Sequence, residues 1–233
     1  AGSKFNNTSS SSADLVLMQQ KSADSAKVMK KIITNINKNI LNKLINGKNA
    51  LIIAAGNSYI DTVKVLIENG ADINYADTDG WTSLMYAANN GDIELAKILI
   101  ENKADINAQS YEEKTPLLYA INSPIESSRN DMINLLVENK ADINIEDSNG
   151  FSPLTIAVMN NDTELTKLLI QNKADLSVVT KDGESLIEYA VNNDNVDLLQ
   201  ILVENGADIN YAGISSYTPL MIAAKSGAEN ITR

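Results

Sequence analysis

An all-α repeat fold, a solenoid of helix-turn-helix units with projecting β-hairpin loops, is predicted by a period, a phase and a spacing. The period is carried by Asp72, Asp105, Asp142, Asp175 and Asp208, which recur at intervals of 33, 37, 33 and 33 residues. Ala54, Ala87, Ala120, Ala157, Ala190 and Ala223 form a second series that keeps step with the first. Within each period a short apolar segment such as Leu84 to Ala88 precedes a longer one, Ile93 to Ile100. The apolar positions of the longer segment suit a largely buried helix.

Taken in order, residues 1–12 are rich in Ser and Asn without an apolar pattern and read as a disordered tail, either a tether or a cloning remnant. Residues 13–43 carry Leu15, Val16 and Met18, then Val28, Met29, Ile32, Ile33 and Ile36, at helical spacing. They read as capping helices, because the first unit of a solenoid has an apolar face with no neighbour. The repeat region then runs 44–76, 77–109, 110–146, 147–179 and 180–212, with a partial sixth unit at 213–233. That unit breaks off shortly after its first helix and leaves Met221 to Ala224 poorly covered, so the natural chain is expected to continue.

Thr115-Pro116, Ser152-Pro153 and Thr218-Pro219 place a hydroxyl at the N-cap and a proline at the first helical position, where no amide donor is missed. Asn69-Gly70 and Asn205-Gly206 close second helices, since Gly takes the left-handed conformation there. Lys103, Lys140 and Lys173 occupy that position in the other copies, where a positive φ costs a side chain roughly 1 kcal/mol. Asp77-Thr78-Asp79-Gly80 and Asp147-Ser148-Asn149-Gly150 supply turn residues for hairpin tips. The third unit holds extra residues within Ile121 to Asp131, including Ser123-Pro124, expected to bulge as a loop where its two helices join.

With these words in place the sequence resembles the ankyrin repeat, whose Thr-Pro-Leu-His-x-Ala and Gly-Ala-Asp-x-Asn patterns are matched in most copies over residues 44–233. The family's His is replaced by Ile52, Met85, Leu118, Thr155, Glu188 and Met221. A His-centred hydrogen-bond network therefore gives way to apolar packing at the starts of the inner helices.

Composition narrows the function. The chain is 44% hydrophobic and 21% charged, enough apolar material for a soluble protein to bury a core, and no apolar run approaches the roughly 20 residues of a membrane span. Cys and His are both absent, which removes disulfides, thiolate chemistry and the commonest general base and metal ligand. The first 50 residues carry eight Lys against Asp14 and Asp24, a net +6, whereas residues from 51 onward carry 11 basic against 28 acidic, a net −17. The acidic part repels a phosphate backbone, so nucleic acid is not the partner. The abundance of Asn, Ile and Lys is read as codon composition, and no function is drawn from it.

Asp77-x-Asp79-Gly80 lacks the later ligands of a calcium loop and is read as a turn. No phosphate cradle or nucleophile elbow is present, and Glu112 and Glu113 read as a solvated tip, so no catalytic residue, metal or cofactor is expected. The resemblance implies a monomeric scaffold that binds a partner protein through a concave face of hairpin tips and short first helices. The predicted binding residues are Thr78, Asp79, Trp81, Tyr111, Glu112, Lys114, Phe151 and Tyr217, because aromatic side chains supply rigid contact area. The alternative is that these rings pack between neighbouring hairpins. The acidic repeats point to a partner with a basic or at least non-acidic patch. A rival reading makes the chain the recognition arm of a larger enzyme or transporter whose catalytic part lies beyond residue 233. A soluble, cytoplasmic setting is the default, with export or surface tethering open.

Overall fold

The computed structural model describes residues 27–28, 47–212 and 216–227. The 1–12 tail lies outside them, as does the 13–43 capping segment apart from Lys27 and Val28, which are helical. The chain divides into two compact units, Ala1–Asp105 and Ile106–Arg233. The first holds α1 (Ala50–Gly56), α2 (Ile60–Glu68), α3 (Ser83–Asn89) and α4 (Ile93–Glu101). The second holds α5 (Pro116–Ile121), α6 (Glu126–Glu138), α7 (Pro153–Met159) and α8 (Thr163–Gln171). It continues with α9 (Leu186–Asn192), α10 (Val196–Glu204) and α11 (Pro219–Ser226). The described residues contain helices and no named strand. The expected hairpins are tight turns, and an antiparallel bridge joins Val179 to Ser185.

The short inner helices start where a side-chain oxygen replaces a missing intrahelical acceptor. Thr82, Thr115, Ser152, Ser185 and Thr218 accept from the amides of Met85, Leu118, Thr155, Glu188 and Met221, and the Asn49 carboxamide does the same for Ile52. Each such cap is worth about 1 kcal/mol. The outer helices end through a device that composition hid. Asn69, Asn102, Asn139, Asn172 and Asn205 each donate a side-chain amide to the carbonyl four residues back, at 2.8–2.9 Å. Asn is therefore a working residue of the repeat rather than a trace of codon usage.

The next residue takes the left-handed conformation in every described copy: Gly70 and Gly206 at φ 84° and 100°, Lys103, Lys140 and Lys173 at 70–72°. Asn74, Asn107 and Asn144 then accept from the amides of Asp105, Asp142 and Asp175 at 2.8–2.9 Å, linking each turn to the next. At Ser177 that link changes, because the shorter hydroxyl donates to its own neighbour Asp175 at 2.7 Å.

Leu51, Leu84, Leu117, Leu154 and Ile187 stand at one inner-helix position and are buried, with Leu66, Leu99, Leu136, Leu169 and Leu202 facing them from the outer helices. Burial of each such side chain contributes about 1.5–3 kcal/mol. On α11 the equivalent Leu220 and its neighbour Met221 are exposed, while Ala223 is buried.

At the family's His position, Ile52, Met85 and Leu118 are packed away from solvent as expected. Apolar packing is not the whole account. The Glu188 carboxylate accepts from the Ser185 amide at 2.6 Å, and the Thr155 and Ser152 hydroxyls bond at 3.0 Å.

The extra residues of the third unit do not bulge as a loop. They extend α6 to 13 residues against nine in the other outer helices, leaving a short connection at 122–125. Pro124 lies just ahead of the helix, where it interrupts no intrahelical bond, so the chain after it winds one further turn.

Candidate protein-binding site

Four hairpin tips are closed by the same pair of backbone bonds. The amides of Asp77, Ser110, Asp147 and Thr180 donate to the carbonyls of Trp81, Lys114, Phe151 and Glu184 at 3.0–3.1 Å. Those of Gly80, Glu113, Gly150 and Gly183 donate back to the first residue at 2.8–3.0 Å. The fourth residue of each tip is left-handed, at φ 77°, 58°, 81° and 73°, as a three-residue hairpin loop with a bulge requires. Rigid backbone thus presents the second, third and fifth residues of each tip.

In the first unit the Asp77 carboxylate, with its side chain fully buried, organises the tip. Its Oδ1 accepts from the amides of Asp79 and Trp81 at 3.0 and 2.9 Å, and its Oδ2 accepts from the Tyr86 hydroxyl at 2.7 Å. Lys48 Nζ donates to the Tyr86 oxygen at 2.7 Å and lies 4.9 Å from the centre of its ring. The bond from Lys48 to Tyr86 raises the ammonium pKa, while burial raises that of the phenol. Trp81 is half-buried, its ring centre 4.9 Å from that of Tyr86 and tilted by 49°. Thr78 and Asp79 are exposed beside it. Thr78 lies over Gly47, where an added Cβ would fall 2.2 Å from its methyl group.

In the second unit Tyr111, Glu112 and Lys114 share one tip. Tyr111 is 77% exposed, and Lys114 pairs with Glu112 at 2.8 Å, which raises the lysine pKa. The Ser148 amide donates to the Glu112 carbonyl at 2.9 Å, bringing the Phe151 tip alongside, and Phe151 is half-buried with its amide on Asp147 Oδ1 at 3.0 Å. Tyr217 lies just ahead of α11 and is exposed, with Lys225 Nζ 5.1 Å from its ring centre.

Three inner-helix tyrosines went unread in the sequence. Tyr86, Tyr119 and Tyr189 occupy the tenth position of their copies, and two of them reach back to the first residue of the tip: Tyr86 to Asp77 and Tyr119 to Ser110 Oγ at 3.0 Å. Their common phase was the available signal. Burial and the Glu184 carboxylate push the Tyr189 phenol up to about 12.

A family model of ankyrin repeats in three copies matches residues 17–110, 79–147, 117–212 and 154–233. The chain belongs to the ankyrin-repeat family. No curated protein matches it. The family match begins at residue 17, inside the segment read as a cap. Ankyrin repeats are in general protein-protein interaction modules, typically without catalysis, and their variable tips fit that use. Among the described residues no helix of this ankyrin-repeat chain is long and apolar enough to cross a membrane.

Proposed function

We propose that this ankyrin-repeat chain is a monomeric scaffold that holds a partner protein on its hairpin tips and the adjoining starts of its inner helices. The supporting observation is Tyr111, a large ring 77% exposed on a tip whose backbone is fixed by two hydrogen bonds. A ring held rigidly in water gains contact area on binding while losing little conformational freedom. In the same unit half-buried Phe151 contributes, with Glu112, Lys114 and Tyr217, and in the first unit the corresponding tip offers half-buried Trp81 with exposed Thr78 and Asp79. Because residues from 51 onward carry a net −17, the partner surface is basic or at least not acidic, and added salt weakens the complex.

Tyr111→Ala and Trp81→Ala are each expected to cost on the order of 2 kcal/mol in partner affinity, while Lys97→Ala and Glu164→Ala on the outer helices cost almost nothing. Affinity is read by calorimetry beside a melting curve. If Trp81→Ala lowers the melting temperature yet leaves the affinity of the folded fraction intact, its ring is a packing element against Tyr86. If Tyr111→Ala also binds normally, the tip face is not the binding surface.

A further inference from the structure

The second unit holds a cleft of about 330 Å³ where the turn after α8 meets the turn after α10. Its apolar lining comes from Leu176, Val178, Val179, Leu186, Ile187 and Tyr211. Three of the positions around it depart from the repeat's own pattern. Ser177 stands where the other copies have Asn74, Asn107, Asn144 and Asn210. Val179, 40% exposed, stands where they have Ala76, Gln109, Glu146 and Ala212. Leu186 occupies the helix start that three other copies give to proline.

The first departure accounts for the opening. In the preceding copies the Asn carboxamide spans to the next turn's Asp amide, at 2.8 Å for Asn107 to Asp142 and 2.9 Å for Asn144 to Asp175. Ser177 turns to Asp175 instead, so no such bridge fills the space between it and Asp208. Val179 then places an exposed apolar side chain where other copies have Ala, Gln or Glu, and Leu186, itself buried, lends the wall a longer side chain than proline would.

We propose that this cleft is a second binding site, taking one large apolar side chain from an extended, basic segment of a partner protein. Its volume sits at the bottom of the roughly 300–1,000 Å³ range of ligand pockets, suited to a single side chain. The exposed carboxylates of Asp175, Asp182, Glu184, Glu204 and Asp208 adjoin it in the chain against the cations Lys173 and Lys181, which favours basic residues on either side of the apolar anchor. The site rests on the reading of the chain as a protein-binding module, but includes none of Thr78, Asp79, Trp81, Tyr111, Glu112, Lys114, Phe151 and Tyr217.

The test titrates the full chain with short lysine-flanked peptides that differ only in a central Leu or Ala, followed by methyl NMR of Leu176, Val178 and Val179. The Leu peptide is expected to shift those methyls and bind about tenfold more tightly than the Ala peptide. Val179→Glu, which installs the residue already present at Glu146, should abolish the preference. Ser177→Asn should weaken Leu-peptide binding while the melting temperature holds or rises. Trp81→Ala should leave the titration unchanged, so a failure of the tip face would not touch this result. Equal binding of the two peptides, shifts confined to other methyls, or saturation of these methyls by toluene with no response to either peptide would overturn the proposal.

Discussion

The Asp77–Trp81 tip turns one carboxylate, that of its first residue, inward, whereas the Thr180–Glu184 tip has only outward carboxylates. Both tips are closed by the same two backbone bonds and carry a left-handed glycine at the fourth position. Asp77 is buried and its carboxylate gathers two amides and a phenol. Thr180 offers a hydroxyl that accepts from the Glu184 amide at 3.2 Å, and a carboxylate stands instead on exposed Glu184, whose charge raises the Tyr189 pKa. Backbone geometry is thus held constant from copy to copy while the polar atoms that support it are exchanged, which frees the outer residues of each tip to vary with the partner.

If buried Asp77 is the hub of its tip, Asp77→Ala strands the Tyr86 hydroxyl and two backbone amides and should cost about 2–3 kcal/mol by urea unfolding. Thr180→Ala loses one neutral acceptor and should cost about 1 kcal/mol. Equal losses would mean that the backbone bonds alone hold both tips and that the inward charge is incidental. Asp77→Asn sharpens the contrast, since it keeps an oxygen for the two amides but removes the charge and replaces the Oδ2 acceptor of the Tyr86 hydroxyl by a donor.

What could be read in the sequence was local. The caps at Thr115, Ser152 and Thr218 and the helix ends at Gly70 and Gly206 are signalled by residues adjacent in the chain, and the structure places them as read. The tyrosine ties were illegible because they require knowing that the first and tenth residues of a copy meet in space. The added turn of α6 was misread for a different reason. Glu126 to Asn130 are exposed or half-buried, so they carry no apolar period, and a polar run after Ser-Pro looks like loop. Among the site residues, sequence placed Tyr111 and Trp81 alike, and only the packing of Trp81 on Tyr86 separates a free ring from a braced one.

The same constancy of backbone under changing side chains recurs at the ends of the outer helices, where Lys103 holds φ 72° and Asn102 before it keeps φ −91°. The strain therefore falls on the lysine. Lys103→Gly should raise stability by up to about 1 kcal/mol, and Gly206→Ala should lower it by a similar amount even though nothing lies within 4 Å of the added carbon. A drop in the urea midpoint for Lys103→Gly would show that the lysine side chain contributes more than its backbone conformation costs.

The smallest effect expected is a pH dependence confined to the outward-charged tip. Tyr189 ionises near 10.0 in an unfolded chain and at about 12 in the folded one, raised first by burial and then by the Glu184 carboxylate, with Asp182 adding to the same direction. A group whose folded pKa is raised binds its proton more tightly in the native state, so its contribution is complete below pH 10 and is lost as pH rises through 12. Unfolding midpoints of the parent protein should therefore fall across that window more steeply than those of Tyr189→Phe, which has no phenol to ionise. Tyr86 is raised in the same direction and remains in both proteins, so it cancels from the difference. Ultraviolet titration of tyrosinate in the two proteins supplies the matching ionisation curve. If the two stability profiles run parallel, the Tyr189 phenol is not coupled to folding and its burial beside the Glu184 charge forms no part of what holds that tip.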